Sequence, residues 1–136
     1  MKTLEQERMK KAYEFVSNVK ENYKEIRSEY SSLAKKLPSM IVHNGLITTI
    51  VFLRSKAGRR KDGRGGNNIT PHGKLLEQLL SYLKDRSLIE SEEYESFINK
   101  TENMEIEEYM FITQDVLAFA TWLKRIAEGE IEDEGT

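Results

Sequence analysis

Met9, Ala12, Val16, Val19, Tyr23, Ile26, Tyr30, Leu33, Leu37 and Met40 recur at alternating intervals of three and four residues. That spacing places one apolar residue per turn on a single helix face. It predicts either two amphipathic helices in a hairpin or one long coiled-coil arm. A break between two helices has soft candidates at Asn22 and at the serines 28, 31 and 32. Pro38, which lacks an N–H, kinks the second helix or opens a new turn, and Asn44-Gly45 supplies a C-terminal stop. A third helix over about 46–56 carries Leu46, Ile47, Ile50, Val51, Phe52 and Leu53 on most of its faces, which predicts a central position in a bundle.

Residues 57–70 hold glycine, arginine and asparagine with almost nothing apolar. They offer little burial to offset their ordering entropy and read as a mobile basic loop. Thr70-Pro71 then reads as an N-cap followed by a first-turn proline. It opens a fourth helix with Leu75, Leu76, Leu79, Leu80 and Leu83 on its buried side. Ser91 is expected to cap a short acidic helix through about Ile98. Thr113 is expected to cap the last helix, about 114–128, with Asp115 in its first turn, Val116, Leu117, Ala120, Leu123 and Ala127 buried, and Lys124 and Arg125 near its end. Residues 129–136 form an acidic tail expected to fray. No segment alternates like a strand over a useful length, and no repeat is visible. The expected fold is all-α: one domain over 1–136, a compact bundle of about five to six helices with the basic loop between the third and fourth.

Composition narrows the chemistry. A chain of 136 residues builds one core and is too short for two ordinary domains. Without cysteine, disulfides, thiolate metal sites and cysteine nucleophiles are excluded. The longest apolar run, Met40 to Leu53, is interrupted by polar residues and falls short of the roughly 20 residues of a membrane span. MKTLEQERMKK alternates charges with no apolar signal region, so a cytoplasmic protein is expected. The net charge of -2 hides a strong sorting: residues 1–86 carry 18 Lys and Arg against 9 Asp and Glu, whereas residues 87–136 carry 3 against 14. One part suits a polyanion, and the split also suits head-to-tail stacking of copies.

Enzymatic constellations are thin. His43 and His72 are the only histidines, and no zinc-protease spacing surrounds them. Gly73-Lys74 fails as a phosphate loop, because Leu75 stands where Ser or Thr is needed and Asn68 where Gly is needed. The glutamates between 90 and 108 lack an apolar pocket to separate their pKa values, and read as a solvated or partner-facing surface. No catalytic residue, metal site or cofactor is expected. The basic segment is different: Arg54, Lys56, Arg59, Arg60, Lys61 and Arg64 face a single anion, Asp62. Arginine forks match phosphate oxygens, and glycines let a backbone approach closely, so this loop suits a ribose-phosphate chain without reading bases. It contains no aromatic for base stacking. Lys35, Lys36 and Lys74 flank it in sequence, with Lys36 and Lys74 as its weaker members.

Leu37-Pro38-Ser39, Asn44-Gly45-Leu46, Val51-Phe52-Leu53 and the C-terminal Leu123-Lys124-Arg125-Ile126-Ala127-Glu128, preceded by the helix expected to be capped by Thr113, together resemble the small subunit of the type III-B CRISPR-Cas effector, the Cmr complex. The likeness covers about 3–128 and consists mainly of packing signatures. It implies a prokaryotic, all-helical, non-catalytic subunit that stacks end to end with copies of itself, touches the backbone and large subunits, and lines the channel that holds guide RNA paired with target RNA. It carries no catalytic residues over and leaves the loop's composition open, so the loop's phosphate contacts rest on charge. A protein-only helical adaptor, with the loop merely solubilising, is the competing reading.

Overall fold

The computed structural model describes residues 1–58 and 69–131, which form six helices and no strand. In chain order these are α1 (Leu4–Asn22), α2 (Arg27–Asn44), α3 (Leu46–Lys56), α4 (Pro71–Asp85), α5 (Tyr94–Thr101) and α6 (Ile106–Glu130). Thr3 opens α1 with a reciprocal cap: its hydroxyl accepts from the Gln6 N–H at 3.1 Å and its own N–H donates to Gln6 Oε1 at 2.8 Å.

The apolar stripe resolves into two helices, α1 and α2, which pack on α6 rather than chiefly on each other. The chain turns at residues 23–26 rather than at the serines, and α2 runs unbroken through Ser28, Ser31, Ser32 and Pro38. A proline inside a helix costs about 3 kcal/mol. Burial of Leu33, Leu37 and Ile41 on the same helix outweighs it. Gly45 ends α2 at φ 88°, its N–H bonded to the Ile41 carbonyl at 2.9 Å, and leads directly into α3.

The central helix is α6, flanked by α1 and α2, while α4 packs against α2 and α3. This corrects the expectation for α3, which buries only Leu46, Thr49, Ile50 and Leu53 and leaves Val51 and Phe52 exposed. It also corrects the last helix, which begins after Glu105 instead of at Thr113. Thr113 lies inside α6 with its buried hydroxyl oxygen unpartnered. Ile112 is buried, so helix continued upstream gains core contacts that a start at Thr113 would forfeit.

Ser91 does not cap α5 directly. That helix starts after Glu93, and Ser91 Oγ instead accepts from the Glu93 N–H at 3.3 Å and pairs with Ser96 Oγ at 2.6 Å. At the C-terminus α6 persists to Glu130 and Ile131 is buried, so the helix runs beyond the start expected for the tail; 132–136 lie outside the described residues.

Candidate nucleic-acid interface

The two ends of the 57–70 segment are fixed to each other. Thr70 caps α4 by accepting from the Gly73 N–H at 2.9 Å, and its hydroxyl donates to the Ala57 carbonyl at 2.8 Å. One side chain therefore ties the last turn of α3 to the first turn of α4. Arg59, Arg60, Lys61 and Arg64 lie outside the described residues, between these pinned ends.

Arg54 and Lys56 sit exposed on the last turns of α3. The Arg54 guanidinium lies over the Tyr94 ring at 4.9 Å, a cation–π contact that joins α3 to the start of α5. Lys56 follows Phe52 by one turn, and Phe52 meets His72 edge to face at 5.7 Å between centroids. His72, in the first turn of α4, titrates below the ordinary histidine range because burial and then the Lys56 charge disfavour its cation, with Glu29 partly opposing them.

The flanking lysines fare differently. Lys36 is exposed on α2, a different helix. Lys74 is 6% exposed, with its ammonium 2.9 Å from Glu77 Oε1 and 4.3 Å over the Tyr23 ring. Its charge is spent within the fold, so the structure removes Lys74 from the patch. Sequence spacing hid this because Tyr23 lies in the distant α1–α2 turn.

Two further groupings come only from the tertiary structure. Asp115 is buried and accepts from Arg8, Tyr82 and Arg86, so α1, α4 and α6 meet at one carboxylate. The Tyr82 ring stacks on Phe119 at 4.1 Å, and burial followed by the hydrogen bond to Asp115 pushes its hydroxyl up to about 12. At the opposite end of α3 from the cations, the Tyr109 hydroxyl accepts from the Ile47 N–H at 3.1 Å and draws the start of α6 to the α2–α3 junction. On the two helices that meet here, near the end of α2 and the start of α6, Val42, Ile106, Met110 and Phe111 are 63%, 62%, 58% and 59% exposed. An acid at the head of an apolar run, Asp115 before Val116, Leu117, Ala118 and Phe119, is the sequence signal for the first grouping.

Among the described residues no three histidine, aspartate or glutamate side chains converge as metal ligands, and no helix is long and apolar enough to cross a membrane. Residues 4–130 match the family model described as CRISPR-associated protein (Cas_Cmr5). The chain belongs to the Cmr5 family. It is 32% identical to the CRISPR system Cmr subunit Cmr5 of Thermus thermophilus over 98% of this chain and all of that protein. It is 35% identical to the Cmr subunit Cmr5 of Thermotoga maritima, over 94% of this chain and 84% of the relative. The crystal structure of a CRISPR-associated Cmr5 family protein from Thermus thermophilus superposes with a TM-score of 0.73 at 29% identity, covering 97% of this chain and 100% of that one. Membership in Cmr5 bears out the likeness carried by Leu37-Pro38-Ser39 and Asn44-Gly45-Leu46, and with it the small-subunit reading.

Proposed function

We propose that this Cmr5-family chain is a non-catalytic structural subunit of a cytoplasmic, RNA-guided Cmr ribonucleoprotein in antiviral defence. In this reading it stacks head to tail with copies of itself, touches the backbone and large subunits, and helps to hold guide and target RNA. The observation that carries the reading is the contrast between the two ends of α3. Its C-terminal end presents Arg54 and Lys56 beside the base of the Arg59–Arg64 segment. Its N-terminal end meets the end of α2 and the start of α6, which expose Val42, Ile106, Met110 and Phe111. Eleven helical residues separate the two by about 15 Å. A polyanion-facing edge and a protein-facing end thus occupy one subunit without competing for surface.

The cations act through phosphate neutralisation. Each contact releases condensed counterions, so RNA affinity falls with salt by about 0.7 log units per log unit of salt for each phosphate engaged on a single strand. In the assembled complex, neutralising Arg59, Arg60, Lys61 and Arg64 together should weaken RNA retention and flatten its salt dependence. Retention equal to that of the unaltered complex at every salt concentration would remove the segment from the RNA contact. The apolar end favours the second reading, a helical adaptor that touches only proteins. Cross-linking to RNA in cells separates the two: an adaptor yields none.

A further inference from the structure

We infer that Phe52 is a stacking contact for an unpaired RNA base, with Lys56 holding the adjoining phosphate and His72 bracing the ring. The inference rests on the RNA-holding reading above and assigns it a specific contact that the basic segment lacks, since no aromatic lies between Arg54 and Arg64.

Phe52 is 37% exposed although Leu53, its neighbour on the same helix, is fully buried. An apolar ring left at the surface of a helix costs burial energy unless a partner covers it. Its surroundings say what kind of partner. Lys56 lies four residues along, on the same helix face. Its charge reaches His72, whose pKa it lowers. The edge-to-face packing with His72, at 76° between planes, occupies at most one face of the Phe52 ring. It also restrains the ring, which reduces the ordering cost of a second contact. An aromatic face beside a cation is the arrangement by which proteins hold single strands: the base stacks and the charge takes the phosphate, with no need to read sequence.

Fluorescence anisotropy with the full-length protein distinguishes the contributions, using a single-stranded oligoadenylate and an abasic ribose-phosphate strand of equal length. Phe52→Ala should weaken oligoadenylate binding about tenfold and leave abasic-strand binding unchanged. Phe52→Trp should restore the lost affinity, whereas Phe52→Leu, which keeps apolar bulk, should not. Lys56→Ala should weaken both strands and reduce the salt slope. If Phe52→Ala has no effect, or affects both strands equally while Lys56→Ala still lowers the salt slope, base stacking is overturned and phosphate holding stands. If Phe52→Ala impairs assembly with the other Cmr subunits but not RNA binding, the ring is a protein contact and the inference fails. If the unaltered protein binds neither strand, the RNA-holding reading falls and takes this one with it.

Discussion

The Asp115 carboxylate on α6 takes two donors from Arg86 at the end of α4, Nε at 3.0 Å and Nη2 at 2.6 Å, across 29 residues of sequence. Arg8 of α1 adds Nη2 at 3.1 Å and the Tyr82 hydroxyl also donates, so one buried carboxylate joins three helices.

Removing that charge leaves two arginines facing each other without a counterion. Fully buried cases cost 3–5 kcal/mol, and because Arg8 and Arg86 keep partial solvent access, Asp115→Asn should cost about 2–3 kcal/mol. Thermal unfolding should fall by roughly 6–10 °C. The same group sets an acid limit. Burial raises its pKa, but hydrogen bonds from Arg86, then Tyr82 and Arg8, outweigh burial and hold it below the usual carboxylate value. A depressed folded pKa gives stability that is present above the unfolded value of about 4 and lost as pH falls through the folded one. Melts from pH 6 downward should show this loss below about pH 4 in the unaltered protein and a shallower dependence in Asp115→Asn.

Gly45 tests the α2–α3 junction. Its φ of 88° strains any L side chain, and a Cβ there would stand 3.3 Å from the Tyr109 hydroxyl oxygen. Gly45→Ala should cost about 1–2 kcal/mol. Adding Tyr109→Phe removes the crowding but not the backbone strain, so the double variant should recover only part of the loss relative to Tyr109→Phe alone, as a double-mutant cycle in chemical denaturation would show.

The exposed apolar end should matter to assembly and not to folding. Met110→Glu with Phe111→Glu changes two side chains that are already more than half exposed, so far-UV circular dichroism and melting temperature should be nearly unaltered. Incorporation into the Cmr complex, followed by co-purification with the other subunits, should drop at least tenfold. Normal incorporation would exclude this end from the interface.

Lys56 and Lys74 should separate cleanly. Lys56→Ala should lower the salt slope of RNA binding with little change in stability. Lys74→Ala removes the pairing with Glu77 and the packing on Tyr23, so it should lower the melting temperature by a few degrees and leave the salt slope in place.

Much of this architecture is written in local pattern. The stripe from Met9 to Met40, the Thr70-Pro71 start and the leucines of α4 each depend on residues within a few turns, where helical periodicity and capping operate. The expectations that failed depended on distant partners. α3 looks central because Leu46 to Leu53 is apolar on most faces, yet the surface it meets covers only one side, leaving Val51 and Phe52 out. Thr113 is a sound N-cap in isolation, but Ile112 gains more by extending α6 into the core than a capping hydroxyl returns.

The candidate surface divides in the same way. The sequence alone determined the charge separation, the helical class and the cations from Arg54 to Arg64, because charge and periodicity are properties of neighbours along a chain. Only the tertiary structure decided that Lys74 is consumed by Glu77 and Tyr23, that Phe52 and His72 stand beside Lys56, and that Asp115 holds α1, α4 and α6 together. Those outcomes follow from which helix faces are brought into contact, and burial energy and ion pairing across the bundle set them.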